Sequence, residues 1–194
     1  MSLDAAILGF LDEEPRSGYD LKTRCFDGLA RDFWTADQAQ IYRTLERLQA
    51  SKLVTVTRRR QSGKPDRKVY SLTELGRQTL SAWLASGLPL TPPRDAFLLQ
   101  LYFAAASTDG DLLGHLRERR ALHQARLEEL RSHALTAAEA PGVSARQASL
   151  RDAAFSGAMA TERAAIDWLD DCIEGLEAGS LPPADEVLFG STTA

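Results

Sequence analysis

Residues 54–73 read VTVTRRRQSGKPDRKVYSLT, and their order decides the fold of the first half of the chain. Val54 and Val56 alternate with Thr55 and Thr57, so Leu53 to Arg60 is expected as a strand. Lys68 to Leu72 is expected as its partner, with Gln61–Asp66, which holds glycine and proline, as the hairpin loop. Arg58, Arg59, Arg60, Lys64, Arg67 and Lys68 crowd this hairpin against one acid, Asp66. Like charges held so close call for a negative partner.

The formal net charge of −4 hides this patch because it averages two unlike halves. Residues 1–90 carry 14 Lys and Arg against 11 Asp and Glu, and residues 91–194 carry 9 against 16. Within residues 43–68 nine basic residues face two acids, the local excess expected of a nucleic-acid or phosphate partner.

Working outward toward the N-terminus, a third helix is expected from TADQ, with Thr35 and Gln38 at capping-box spacing. Ile41, Leu45 and Leu48 form its dry side, while Gln40, Arg43 and Arg47 lie opposite, with Tyr42 at the flank. A second helix is expected from SGYD, with Ser17 as cap and Asp20 three residues on, and with Leu21, Cys25 and Leu29 as its apolar row. The first helix spans Leu3 to Leu11 and is stopped by Pro15. Beyond the hairpin, Thr73-Glu74 opens a fourth helix through Leu80, Trp83 and Leu84. Three helices, a hairpin and a helix in this order make a winged helix-turn-helix.

ASGLPLTPP at residues 85–93 marks a boundary. After it come a short helix around Phe97–Tyr102 and a long one from Asp111 to about Ala138, with Leu113, Leu116, Arg120, His123, Leu127, Leu130 and Ala134 as its seam. A last long helix, about Ala145–Ala178, carries a stripe of Leu150, Ala154, Gly157, Thr161, Ala164 and Trp168. The fold class expected is therefore mainly α: an α+β winged helix-turn-helix with a two-stranded wing, plus an all-α C-terminal helical domain. Residues 1–88 form the DNA-binding domain, 94–178 a helical dimerisation domain and 179–194 an irregular tail.

Catalytic signatures are missing. SGKP at 62–65 lacks the earlier glycine of a P-loop and has proline where Ser or Thr would hold magnesium. His115, His123 and His133 stand eight and ten residues apart, so no metal site and no cofactor are expected. Cys25 and Cys172 read as reduced, packed thiols, and no signal peptide or membrane span is seen, which points to the cytoplasm. Double-stranded DNA is the expected partner. Gln40 and Arg43 suit base edges in the major groove, with Gln38 also on the DNA-binding face, Tyr42 and Arg47 suit phosphate, and Arg58, Lys64 and Arg67 place the wing along the backbone. The alternative reading is a winged-helix protein-interaction module that docks an acidic surface without specific DNA binding.

Several motifs together resemble the PadR family of bacterial transcription regulators: ILGFL (7–11), SGYDL (17–21), FW (33–34), QIYRTLERLQ (40–49), QSGKPDRKVYSLTELGR (61–77) and RDAFLLQLYF (94–103). The resemblance implies a winged-helix homodimer joined through its C-terminal helices, acting on inverted-repeat operators as a repressor that a small molecule releases. It places the recognition helix at residues 36–50 and the wing at 54–72, in the larger subgroup with a multi-helix C-terminal domain. It names no effector. Tyr102, Phe103, Phe155 and Trp168 are the candidates to line an effector pocket in the second half, with core packing as the alternative reading of each.

Overall fold

The computed structural model describes residues 2–61, 64–90, 94–138, 143–179 and 181, which fall into two compact units, Met1–Thr91 and Pro92–Ala194. Side chains of residues 59–61 and 64–66 lie outside this description, as does almost all of the tail expected from residue 179.

The first unit begins with helix α1 (Ser2–Glu13), which ends two residues before Pro15. Arg16 stays buried because its Nε donates to the Phe10 carbonyl near the end of α1 (3.1 Å) and its guanidinium pairs with Glu13 and Glu14. Arg16–Ser17 forms a short strand, β1, which the sequence did not announce.

Helix α2 starts at Gly18–Asp20 with the expected capping box between Ser17 and Asp20, and then winds as a π-helix over Leu21–Leu29. The Ala30 N–H closes this winding by donating to the Cys25 carbonyl, five residues back, at 2.7 Å. The wider turn corrects the expected apolar row: Leu21 and Cys25 are buried, but Phe26 takes the third place and Leu29 is exposed. Phe26 then meets Phe10 edge to face, with centroids 5.6 Å apart.

Helix α3 (Gln38–Ala50) is capped by Asp37, not Thr35. Ile41, Leu45 and Leu48 are buried as expected, each burial worth about 1.5–3 kcal/mol. Lys52 follows in the left-handed region (φ 58), and the Leu53 N–H donates to the Leu48 carbonyl at 2.9 Å. This helix-closing motif turns the chain straight into the wing.

Strands β2 (Val54–Gln61) and β3 (Lys64–Leu72) pair antiparallel, with a register irregularity between Arg59 and Gln61. The pairing runs further than expected, so most of the anticipated loop 61–66 is strand, and Ser62 and Gly63 lie outside the described residues. β1 adds to the other edge of β3, which makes a three-stranded sheet in the order β1-β3-β2. Thr73 then caps helix α4 (Glu74–Ala85). Gly76 in its first turn is obligatory: a Cβ there would stand 2.2 Å from the Leu53 carbonyl oxygen.

In the second unit Asp95 caps helix α5 (Ala96–Tyr102), accepting from the N–H groups of Phe97 and Leu98. Helices α6 (Asp109–Ala138) and α7 (Ala145–Glu177) pack against one another as an antiparallel pair. The α6 seam is as expected, with Leu116, Leu127 and Leu130 buried. Polar bridges cross it, among them Arg120 to Asp170 and His123 to Glu162, the latter at 2.6 Å.

The α7 stripe is a correction. Phe155, Ile166, Leu169 and Cys172 face the seam, whereas Leu150, Ala154, Gly157, Thr161 and Ala164 are exposed and only Trp168 is half-buried. An alanine-rich helix offers two stripes at helical spacing, and the one with larger side chains removes more apolar area from water. Gly179, at φ 85, closes α7.

Candidate nucleic-acid interface

The outer face of α3 is prepared by local chemistry at its N-terminus. Asp37 accepts from the Gln40 N–H at 2.7 Å, and the Gln40 side-chain oxygen accepts from the Asp37 N–H at 3.2 Å. Asp37-x-x-Gln40 and Thr35-x-x-Gln38 have the same spacing, and the first lies two residues nearer the dry side that starts at Ile41. Gln38, Gln40 and Arg43 are exposed, and Tyr42 is more than a third exposed on the same helix. With one lone pair of its oxygen engaged, Gln40 keeps both amide N–H donors and the second lone pair for another partner.

Gly18 lets α2 approach this helix, because a Cβ there would meet the Tyr42 ring at 2.7 Å. Tyr42 therefore lies against the start of α2. Below it Tyr70 is buried, and burial, with Tyr42 and Glu46 adding, pushes its hydroxyl above the ordinary tyrosine range.

Two cations expected at phosphate are held by carboxylates. Arg47 pairs with Asp4 of α1, and Arg67 pairs with Asp20 of α2. Asp20 also accepts from the Ser17 hydroxyl at 2.7 Å and the Ser17 N–H at 3.0 Å. Burial raises the Asp20 carboxyl, but the Ser17 bonds and the Arg67 guanidinium outweigh it and hold it below the usual carboxylate range. The wing is thus tied to the capped start of α2. Both pairs span more than 40 residues of chain, and no local spacing signals them.

On the wing itself, register sets Arg58 opposite Lys68 and Arg59 opposite Arg67. Arg58 and Lys68 are exposed. Like charges directly opposite on an antiparallel pair are destabilising, so the hairpin carries a standing electrostatic cost that an anion would relieve. Lys64 begins β3, but its side chain lies outside the described residues.

The four residues expected around an effector fall into different surroundings. Phe155 is buried, and Trp168 packs edge to face with Phe97 at 6.5 Å. Tyr102 and Phe103 contact each other at 5.1 Å and are largely exposed. Both cysteines are free and buried, and burial pushes the Cys25 thiol up to about 11. Among the described residues no group of three or more potential metal ligands gathers, and no helix is long and apolar enough to cross a membrane.

Comparison with known proteins gives this geometry a family. Residues 7–82 match the transcriptional regulator PadR-like family, and residues 93–177 match the virulence activator alpha C-terminal family. A probable transcriptional regulator of Mycobacterium tuberculosis is 34% identical over 188 residues, which cover 91% of this chain and 98% of that protein. The chain belongs to the PadR-like family. The negative transcriptional regulator PadR of Bacillus subtilis is 33% identical over 129 residues, 66% of this chain and 70% of its own length. Its crystal structure in complex with operator DNA matches with a TM-score of 0.79 at 25% identity, covering 91% of this chain and 99% of that one. Its structure in complex with p-coumaric acid matches with a TM-score of 0.74 at 26% identity, again over 91% and 99%. This PadR-like chain is a DNA-binding transcriptional regulator and not an enzyme.

Proposed function

We propose that this protein is a homodimeric, sequence-specific repressor that reads an inverted-repeat operator with α3 and the β2–β3 wing and is released by a small-molecule effector. The observation that carries the DNA contact is the juxtaposition of Arg58 with Lys68 across the wing. DNA phosphate offsets that repulsion and releases counterions. Gln38 and Arg43 are assigned to base edges, with Gln40 beside them using its amide N–H groups and its second lone pair while the capping box holds. Tyr42, Arg58 and Lys64 are assigned to the backbone. Arg47 and Arg67 reach phosphate by exchanging Asp4 and Asp20 for it.

Support for a second copy comes from the helical unit, where Leu122, Leu135 and Leu150 are each more than half exposed, beside the small-residue stripe of α7. Support for repression and for an effector comes from the relative, a negative regulator also seen with p-coumaric acid. In this chain Tyr102 and Phe103 remain open to a ligand, whereas Phe155 is committed to the seam. Work on DNA assigns the protein to the cytoplasm.

The test is a titration against DNA from upstream of its own coding sequence, beside scrambled DNA, from 50 to 200 mM salt. A dimer with roughly 6–10 phosphate contacts loses about 10³–10⁵ in affinity over that range. Arg58→Ala and Lys64→Ala weaken all sequences alike, and Arg43→Ala also relaxes operator choice. Equal, weak binding to both fragments, with no specific site recovered genome-wide, would replace this reading with the protein-interaction module.

A further inference from the structure

The amino-terminal unit holds a half-open cleft of about 530 Å³, walled by α1, the end of α3 and α4. The apolar walls include Leu8, Leu48, Leu53 and Trp83. Leu48 and Leu53 are the two residues that the helix-closing bond at the end of α3 brings together. The polar groups on the lining are Asp4, Thr79 and Ser86. Thr79 and Ser86 already donate to the Leu75 and Trp83 carbonyls, at 2.8 and 2.7 Å. Asp4 is the only charged group, and its salt-bridge partner Arg47 belongs to α3 and is itself 61% exposed at the side chain.

We infer that this cleft is a binding site for a small organic cation, an ammonium group on an apolar body, whose charge takes Asp4 from Arg47. A volume of this size is typical of small-molecule sites, and an apolar cleft with one carboxylate selects an apolar body with one positive charge. An exposed ion pair such as Arg47–Asp4 holds weakly, so a ligand that adds apolar burial displaces Arg47. The displaced guanidinium is then free for phosphate. The cation therefore strengthens DNA binding, and by linkage DNA strengthens cation binding. This second half rests on the DNA-contact reading given above for Arg47, and its sign is opposite to effector release.

Calorimetry of the full-length protein with 4-phenylbutylamine, against the uncharged 4-phenylbutanol, tests the site without DNA. The amine is expected to bind about tenfold tighter than the alcohol, the worth of a charge-assisted hydrogen bond. Asp4→Asn removes that preference. Ala82→Phe, at an exposed lining position, fills the cleft and abolishes binding of both compounds. Equal affinity for amine and alcohol, or amine binding untouched by both substitutions, overturns the site. DNA titrations with saturating amine then test the coupling: affinity rises severalfold in the wild type, and Asp4→Asn shows the rise without amine. An amine that binds but leaves DNA affinity unchanged overturns the coupling. Amine binding by a protein with no affinity for DNA strikes instead at the DNA reading and leaves the cleft standing.

Discussion

The amino-terminal unit closes one core from four helices and a sheet, with Leu21, Ile41 and Leu45 fully buried at its centre. The helical unit rests on the seam between α6 and α7, and many of its large apolar side chains stay exposed, Tyr102, Phe103 and Leu135 among them. The difference teaches that core and interface are separate demands. A helix enclosed on several sides spends its apolar face inside its own unit, whereas a helix in a two-helix seam keeps a second face for another surface.

The largest expected effect separates the two cores. Leu45→Ala and Leu169→Ala each remove a fully buried side chain and should cost about 2–5 kcal/mol in denaturant unfolding. The Leu45 loss should not vary with protein concentration. The Leu169 loss should grow as concentration rises, because the altered helical unit gains less than wild type from the proposed dimer by mass action. Identical behaviour of the two variants across a hundredfold range of concentration would erase the contrast.

Next comes the close approach of α4 to Leu53. Gly76→Ala forces a Cβ against the Leu53 backbone, which cannot swing aside as a side chain does, and should cost about 1–3 kcal/mol. A melting point within a degree of wild type would show that α4 and the strand start are free to separate.

Asp20→Asn should cost about 1–3 kcal/mol by weakening the capping box and the hold on Arg67. Because the folded carboxyl titrates below its unfolded value, its contribution is whole above about pH 4, the ordinary aspartate value. It is lost as pH falls below that value, through the folded pKa. Wild-type stability should thus fall more than that of the variant between neutral pH and pH 3, and parallel pH curves would remove Asp20 from this role.

The smallest effect on a single chain is the most informative about α7. Ala154→Arg sits on the exposed stripe and should change unfolding of the isolated chain by no more than about 0.5 kcal/mol, while analytical ultracentrifugation is expected to show loss of the proposed dimer. A marked loss of stability in dilute monomer would return that stripe to the interior.

Local pattern was enough for much of this. Alternation from Val54 to Thr57, the caps at Ser17 and Thr73 and the spacing of Ile41, Leu45 and Leu48 all depend on neighbours within a turn or a strand, and they are where they were expected. The motifs that resembled PadR regulators were legible for the same reason. Two local readings still failed, at Thr35 against Asp37 and at Leu29 against Phe26, because overlapping capping boxes look alike and π winding leaves no spacing of its own. Identity of the basic face was thus determined by sequence alone, since charge and periodicity are properties of the chain. Tertiary structure decided which cations are already spent on Asp4 and Asp20, which stripe of α7 is buried, and that Arg16–Ser17 joins the sheet. Each of these depends on groups far apart in sequence, whose meeting is set by how the elements pack and not by any spacing along the chain.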